Sequence, residues 1–401
     1  MPKLFLSPLA APLSAFVLVA SVAGCTLVST ASPDDGDVFD APLPGLTANE
    51  LAAFARGDAE FERRFAASTG LGPIFNNVSC ASCHSGDGRG VPSNILVRIG
   101  SPDDAFQVGR GGPQIQDKAL LGIAPEAVPT GIAMSRRLPP PVFGVGLIEA
   151  ISAEAILANA DPDDLDGDGI SGRPNWVVPL RYAGTGTLLG RFGRKAQTAT
   201  LLEQTVEAYH QDIGITSEFR PFENPHGYAS VPIESVDPVA DPEVPAATVQ
   251  AVVHYLRTLA PSAPGQMTTV REQGRQLFGT IGCANCHVPT LRTATAPIAA
   301  LSNVDVTLYS DLLLHDMGDE LADHRPDGSA GGREWRTTPL WGLRLMEDFL
   351  DGQAFLMHDG RARSVEQAIM LHGGEAAAVR TAYAALPAAD KAALLDFVRS
   401  R

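Results

Sequence analysis

Two short motifs in this chain could do redox chemistry, because each places two thiols and an imidazole side by side. Residues 80–84 and 283–287 both read Cys-X-X-Cys-His. The pattern is typical of c-type haem attachment, in which the thiols bond the porphyrin vinyl groups and the histidine supplies an axial iron ligand. We therefore predict two covalently bound c-type haems. The attachment residues are then Cys80, Cys83, Cys283 and Cys286, and the proximal iron ligands are His84 and His287.

A Cys-X-X-Cys pair is also found in thioredoxin-like redox sites and in zinc sites. A zinc site would need four ligands from two distant segments, and it would leave the histidine after each pair unexplained. The fifth cysteine, Cys25, follows Val22-Ala23-Gly24 and an apolar run, a pattern that resembles a bacterial lipobox. With every cysteine assigned in this way, we expect no disulfide.

The first residues of the chain indicate export. Lys3 is the only positive residue of a short leading segment, and an apolar stretch and small residues follow it. We expect a lipoprotein signal peptide at residues 1–24, lipidation of Cys25 and a polar tether at residues 25–45. Thr26 stands where an inner-membrane retention signal has Asp, which favours a periplasm-facing protein on the outer membrane. The lipid would be its only membrane contact.

Composition limits the partners and the fold. The chain has 401 residues, which predicts two domains, and its net charge of −16 excludes nucleic acid and favours a small basic electron carrier. Its 39 glycines and 31 prolines are many for a helical protein. Loop-rich helical domains suit haem proteins, because the porphyrin fills core volume that side chains would otherwise occupy.

Four features recur in the same order in the two halves of the chain, which predicts an internal repeat. They are a helical lead-in to the motif, a basic turn with proline, a capped helix and a closing helix. The paired segments are 62–65 with 271–278, 136–144 with 336–342, 193–203 with 360–367, and 246–259 with 388–399. The third pair contains two predicted capping boxes, Thr200 with Glu203 and Ser364 with Gln367. We predict an all-α, loop-rich fold of two cytochrome c-like haem domains, residues 46–260 and 265–401.

With this repeat, nearly all of the mature chain resembles the bacterial di-haem cytochrome c peroxidase superfamily, nearest its di-haem oxidoreductase branch, sometimes named thiol oxidoreductases. The phrases that carry the resemblance are residues 167–172, 190–196, 310–318 and 358–362. The resemblance implies a peroxidase-like enzyme that reduces hydrogen peroxide, or oxidises a partner, with electrons relayed between two haems. A small cytochrome c or cupredoxin would donate them. The alternative is a non-enzymatic electron-transfer lipoprotein with both haems six-coordinate, and thiol chemistry has no cysteine left to perform it.

The superfamily places the distal ligand of the C-terminal haem fourteen residues after the histidine of His-Asp-Gly. Counting from His358 reaches His372, so a His/His haem is expected, at lower potential than a His/Met one. The alternative role for His372 is to cap the helix that ends at Gly373. Met317 and Met370 are the other candidate ligands.

The N-terminal haem should carry the open, reactive site. Gln204 matches the distal glutamine of the superfamily, but Gly214 stands where peroxidases have an acid, which leaves Asp212 and Glu207 as candidate catalytic acids. His210 is the counterpart of His372 in the repeat, and its ligation would close the site. The tryptophan that is thought to relay electrons in the superfamily is absent from residues 191–193, so Trp176 or Trp341 would have to substitute.

An acidic loop predicts one calcium ion. Asp164, Asp166 and Asp168 alternate, Gly169 is sixth and Ile170 seventh, as in the first half of a calcium-binding loop. The twelfth position is Asn175, a weaker ligand than the usual glutamate, and the alternative is a solvated acidic turn. Two further histidines, His315 and His358, lie in the family phrases, and we expect them to contact haem propionates or to support a ligand.

Overall fold

The computed structural model describes residues 38–84, 86, 88, 90–100, 112–180, 182–224, 237–350 and 352–401. The predicted signal peptide, Cys25 and most of the predicted tether lie outside these residues. None of the described helices has the length and hydropathy required to span a membrane.

Ten α-helices form within the described residues, and most are short. They are α1 Ala48–Glu62, α2 Val145–Ala150, α3 Ala153–Leu157, α4 Leu201–Ala208, α5 Ala246–Thr258, α6 Thr269–Thr280, α7 Leu343–Phe349, α8 Val365–Leu371, α9 Ala377–Ala385 and α10 Ala388–Arg399. A π-helical turn, Tyr209–Ile213, extends α4.

In the same part of the chain, ten short strands pair into five antiparallel, two-stranded ladders. They are β1 Ile74–Phe75 with β3 Lys118–Ala119, β2 Leu96–Ile99 with β4 Met134–Arg137, β5 Trp176–Val177 with β6 Leu188–Leu189, β7 Leu291–Arg292 with β8 Asp305–Val306, and β9 Leu314–Asp316 with β10 Glu334–Arg336. The prediction of a helical, loop-rich fold is therefore confirmed, although these short strands mean that the fold is not plainly all-α. The strands form where loops between the helices pair with one another through backbone hydrogen bonds. The hydrophobic periodicity of a single segment does not reveal this pairing, because the partner lies elsewhere in the chain.

Two long helix pairs have the same kind of close contact. Helix α1 packs on α5, and α6 packs on α10. A Cβ at Gly57 of α1 would collide with the carbonyl oxygen of Ala251, and a Cβ at Gly274 of α6 would collide with that of Ala393. Each pair thus joins the helix that leads into a Cys-X-X-Cys-His motif to the closing helix of the same half. The internal repeat itself remains a prediction.

The two predicted capping boxes form only in part. Thr200 accepts a hydrogen bond from the Glu203 backbone N–H at 3.2 Å, and Ser364 accepts one from the Gln367 N–H at 3.1 Å. The reciprocal bonds are replaced, because Glu203 accepts from the Leu180 N–H and Gln367 from the Arg363 N–H. Both helices still begin where the sequence predicts, since the hydroxyl satisfies an otherwise unpaired N–H.

The larger hydrophobic core combines residues between 39 and 259 with residues between 291 and 345. The second core is built from residues between 278 and 398, and it also takes in Leu138, which is fully buried. Each predicted half therefore contributes side chains to the core of the other. The boundary near residues 260–265 stays a prediction.

Candidate haem sites

The second Cys-X-X-Cys-His motif lines a largely apolar cavity, here called the apolar cavity. Helix α6 ends just before the motif, and Gly282, with a φ of 95°, turns the chain into a short 3-10 turn at Cys283–Asn285. The side chains of Cys283, Cys286 and His287 face this cavity. Burial raises the pKa of the Cys283 thiol to about 12, so the thiol is neutral in these apolar surroundings. Apolar lining residues include Phe278, Leu340, Trp341, Met346, Leu356 and Leu394.

His287 is held in one tautomer. Its Nδ1 atom lies 2.9 Å from the carbonyl oxygen of Tyr309, and because a carbonyl only accepts, Nδ1 carries the proton. Burial lowers the pKa of His287 to about 4, so the ring is neutral at physiological pH. The Nε2 lone pair is then available to a metal, which is the arrangement that a carbonyl partner enforces on ligating histidines.

His372 lines the same cavity and has the same chemistry. It follows helix α8, and its Nδ1–H donates to the Ala368 carbonyl at 2.7 Å, while burial lowers its pKa. The capping role and the ligand role are therefore compatible, because capping uses Nδ1 and leaves the Nε2 lone pair. Met317 also lines the cavity, whereas Met370 is 44% exposed and does not.

The lining of the apolar cavity also includes polar residues. His315 is buried there, with Nε2 2.8 Å from an Asp311 carboxylate oxygen and Nδ1 2.8 Å from a Glu375 carboxylate oxygen. Burial alone would lower the pKa of His315, but the hydrogen bonds to both carboxylates raise it well above its ordinary value. His315 is thus a buried imidazolium. His358, Arg194 and Arg336 also line the cavity. An apolar cavity whose lining includes His315, Arg194 and Arg336 fits a haem, which is a flat apolar ring with two carboxylates.

A second, more polar cavity lies beside α4 and the π-helical turn; we call it the polar cavity. Gln204, Glu207, Gln211 and Asp212 line it, so the structure brings all three predicted catalytic candidates together. Burial raises the pKa of Asp212 to about 6, although Gln114 and Arg98 oppose the shift. The Oε1 atom of Gln204 is buried and has no hydrogen-bond partner among the described residues.

The polar cavity adjoins the first Cys-X-X-Cys-His motif. The backbone N–H of Asn77 donates to the Asp212 carbonyl at 3.0 Å, and the Asn77 side-chain amide donates to the Cys83 sulfur at 3.4 Å. Asn77 therefore holds the Asp212 backbone next to the motif. Burial lowers the pKa of His84 to about 4, so this histidine is also neutral. Cys80, Cys83 and His84 do not themselves line the polar cavity.

The two candidate acids differ in their partners. Both Glu207 carboxylate oxygens accept from one Arg220 nitrogen, at 2.7 and 2.8 Å, and Tyr182 and Gln211 donate to the same carboxylate. The ion pair and the two further hydrogen bonds therefore hold the Glu207 carboxylate in place. Gln114 donates to Asp212 Oδ1. An arginine thus holds Glu207, whereas a neutral amide contacts Asp212.

His210 is not brought to the polar cavity. Its Nε2–H donates to the Phe222 carbonyl at 3.0 Å, and burial lowers its pKa to about 4. It lines neither of the two cavities. The π-helical turn explains the difference from the repeat, because its wider turn changes the direction in which each side chain points relative to an α-helix. The Nδ1 atom of His210 is buried and has no hydrogen-bond partner among the described residues, and ligation by His210 stays a prediction.

The acidic loop has part of the predicted calcium-site geometry. Asp164 Oδ1 accepts from the Gly169 N–H at 3.1 Å, and carboxylate oxygens of Asp161, Asp164 and Asp166 lie within 4.8 Å of one another. Asp161 was not predicted from the sequence. Asp168 instead accepts from Asn285 of the second motif at 3.3 Å, and Ile170 lines the apolar cavity.

Asn175, the predicted twelfth residue of that loop, lies elsewhere. Its buried amide donates to the carbonyls of Lys195 and Asp327 at 2.7 and 2.9 Å, and its Oδ1 accepts from Ser329. These tertiary hydrogen bonds engage both ends of the side-chain amide, so it is not available to a cation in the loop.

The tryptophans occupy three different environments. Trp341 is buried against the apolar cavity, whereas Trp176 is 45% exposed at the polar cavity. Trp335 was not considered at the sequence level, yet it lines the apolar cavity and stacks on His358 at 3.8 Å between ring centres. Nothing in its local sequence distinguishes it, because the stacking partner is distant along the chain.

Comparison with known proteins identifies the family. Among solved structures, a hydrazine synthase of Kuenenia stuttgartiensis overlaps 98% of this chain and 100% of its own, with a TM-score of 0.40 and 14% identity, which is too weak to indicate shared activity. No curated protein matches significantly. The sequence profile described as "Di-haem oxidoreductase, putative peroxidase" matches residues 16–99 and 123–401. Because this match covers most of the chain, the protein belongs to the di-haem oxidoreductase family.

Proposed function

We propose that this protein is an exported di-haem peroxidase, which reduces hydrogen peroxide to two water molecules with two electrons and two protons. The observation that carries the proposal is the buried Asp212, whose pKa is raised to about 6, in one polar cavity with Gln204 beside the first motif. A peroxidase needs a group that changes protonation near neutral pH at that position. The family supports a di-haem redox role.

The residues of the two cavities have different roles in the proposed reaction. Covalent attachment at the two Cys-X-X-Cys-His motifs would hold one haem in each half, and each bound haem would supply an iron that exchanges electrons or binds peroxide. In the apolar cavity, His287 and His372 both offer a neutral Nε2. Two such ligands would leave no open position there, which restricts this half to electron relay.

Asp212 and Gln204 are the proposed catalytic residues of the polar cavity. Asp212 is mostly ionised at neutral pH, because its pKa is about 6. Its carboxylate would accept a proton from hydrogen peroxide and return it to the oxygen that leaves as water. The Gln204 side-chain amide would orient the peroxide by hydrogen bonding. Hydrogen bonds from Arg220, Tyr182 and Gln211 already occupy the Glu207 carboxylate, so we assign the proton transfer to Asp212.

The electrons would come one at a time from a small basic cytochrome c or cupredoxin. The net charge of −16 supports such a partner, because opposite charge accelerates encounter. Lipidation at Cys25 would hold the protein at the outer membrane, facing the periplasm, and residues 164–170 would bind one calcium ion. These further proposals rest on the sequence patterns and, for calcium, on the grouping of Asp161, Asp164 and Asp166.

The test combines three measurements on the holoprotein. A pyridine haemochrome assay should give two haems per chain, and EPR should give one high-spin and one low-spin ferric signal. A steady-state assay should show peroxide-dependent oxidation of a reduced donor. Two low-spin signals, as isolated and after half reduction, without turnover would instead identify a non-enzymatic electron-transfer protein.

A further inference from the structure

The polar cavity is much larger than hydrogen peroxide requires. Its volume is about 450 Å³, whereas a water molecule takes up about 30 Å³ in the liquid. Hydrogen peroxide has only two oxygen atoms and would therefore fill a small part of this space. Cavities of about 300–1,000 Å³ are typical of sites for organic ligands. The size of the cavity thus indicates a larger substrate.

Apolar side chains from one short segment contribute to the lining of this cavity. They are Trp176, Val178 and Leu180, and we call them the apolar strip. They alternate with the buried residues Val177 and Pro179, as side chains do in an extended chain, so the three lie on the same side of the segment. Val178 is 78% exposed, and the other two are exposed as well. The strip therefore offers apolar surface at a part of the cavity that solvent reaches.

Hydrogen bonds hold the segment of the strip beside the polar residues of the cavity. The Leu180 backbone N–H donates to the Glu203 carboxylate at 3.1 Å. The side-chain amide of Asn175, which precedes the strip, donates to the Asp327 carbonyl at 2.9 Å. Glu203 and Asp327 both line the polar cavity. The strip is thus fixed at both of its ends to other parts of the same cavity.

Other residues of the lining supply the groups that a hydroperoxide needs. Gln204 lies on α4 and Asp212 on the π-helical turn, and both line the polar cavity. Glu203, which contacts the strip, and Asp212 are separated along one helical segment by roughly 12 Å, at about 1.5 Å for each residue. The cavity reaches both ends of this segment. It can therefore hold a reacting group near Asp212 and an organic group beside the strip.

We propose that the polar cavity binds an organic hydroperoxide, ROOH, with its hydroperoxide group at Asp212 and Gln204 and its apolar group R against the apolar strip. The inference rests on the proposed function, because it takes the polar cavity as the place where peroxide reacts. Contact with R removes apolar surface of the strip from water, which favours binding. Hydrogen peroxide has no apolar group and gains nothing from this contact.

The reaction keeps the two-electron balance of the proposed function. One ROOH molecule, two electrons and two protons give one alcohol, ROH, and one water molecule. Asp212 accepts the hydroperoxide proton and returns it to the oxygen bonded to carbon, which leaves as ROH when the O–O bond breaks. The terminal oxygen takes up the two electrons and two further protons and leaves as water. The electrons come from the donor protein of the proposed function, so no other reductant is required.

The experiment compares three oxidants of increasing apolar size on the wild-type holoprotein. They are hydrogen peroxide, tert-butyl hydroperoxide and cumene hydroperoxide. We expect kcat/KM to rise in that order, by about tenfold overall, because each added apolar group strengthens binding in the transition state. Chromatography should detect one cumyl alcohol molecule for every two molecules of a one-electron donor that are oxidised.

Two results with the wild type would overturn the proposal. One is reduction of hydrogen peroxide without reduction of either organic hydroperoxide. The other is acetophenone in place of cumyl alcohol, because acetophenone forms when the O–O bond breaks homolytically. A wild type that reduces none of the three oxidants would instead contradict the proposed function.

Variants of the strip test whether its apolar surface causes the selectivity. Val178→Asp and Trp176→Glu should each lower the ratio of kcat/KM for cumene hydroperoxide to that for hydrogen peroxide by about tenfold, because R would then cover a charge. Val178→Leu keeps the strip apolar and should retain the ratio. The matched control is Leu121→Asp, at a fully exposed leucine that does not line the cavity. An unchanged ratio in both acidic variants, with two haems per chain, would refute the proposal.

Discussion

The apolar cavity and the polar cavity differ in what their polar groups can do. His287 and His372 both line the apolar cavity, and each donates Nδ1–H to a backbone carbonyl, which leaves the Nε2 atom of each ring as a neutral base. In the polar cavity, Asp212 and Gln204 present a proton carrier and an amide instead. In the proposed function the two regions would serve two stages of one reaction, because metal ligation needs fixed neutral bases whereas peroxide chemistry needs a group that gains and loses a proton.

The helices that carry these groups explain part of the difference. His372 follows a regular α-helix, α8, which ends at the cavity wall. In the other half, helix α4 continues into the π-helical turn Tyr209–Ile213, and this turn places Asp212 at the cavity while His210 bonds to Phe222. The change from an α-helix to a π-helical turn thus places the candidate acid Asp212 at the polar cavity, and not the candidate ligand His210.

Removal of the acid of the polar cavity is the strongest test of the difference between the two cavities. Asp212→Asn should lower kcat for peroxide reduction by about 10²–10⁴-fold, because the amide cannot transfer the proton. Steady-state donor oxidation measures the loss, and Asp305→Asn, at an exposed ion pair, is the control. Retention of normal kcat by Asp212→Asn would remove Asp212 from the mechanism.

The apolar cavity is tested by its own candidate ligand. His372→Ala should convert the C-terminal haem from low spin to high spin, with two covalent haems retained, because the iron loses a strong-field nitrogen ligand. EPR and the visible spectrum report the change. Met317→Leu is the matched control and should stay low spin. The opposite pattern would make Met317 the ligand.

The pH profile distinguishes the cavities without a mutation. The reactive form of Asp212 is the carboxylate, and burial raises its pKa to about 6. Activity should therefore be full above about pH 7 and should fall about tenfold for each pH unit below 6, as the carboxylate is protonated. The profile of kcat against pH measures this, with pH-independent haem content as the control. A profile that rises below pH 6 would mean that the protonated acid is the active form.

The smallest effect tests whether the two halves are built alike. Gly57→Ala and Gly274→Ala should each destabilise the protein by about 1–3 kcal/mol, because both methyl groups would meet a neighbouring helix backbone. Gly279→Ala is the control in helix α6; its Cβ would meet nothing within 4 Å, and it should stabilise by about 0.5–1 kcal/mol. Urea unfolding of the holoprotein gives the values. Markedly unequal effects at Gly57 and Gly274 would weaken the inferred repeat.

The sequence predicted several features correctly. The family assignment is confirmed, and so are the helical, loop-rich character and the starts of α4 and α8 at Thr200 and Ser364. These features depend on short patterns, because a side-chain cap acts within one turn of helix. The grouping of Gln204, Glu207 and Asp212 also follows from their closeness on one helical segment.

Tertiary structure decided the features that depend on distant partners. Arg220 reaches Glu207 and so separates the two candidate acids, while Asn175 bonds to Lys195 and Asp327 and not to the acidic loop. Buried ion pairs join Asp323 to Arg137 and to Lys195, which are more than 120 residues away in the chain, and no spacing in the sequence indicates them. The sequence by itself determines which reactive groups lie next to one another in a motif, because only a few covalent bonds separate them. Protonation and charge balance depend on burial and on long-range partners, and these exist only in the folded chain.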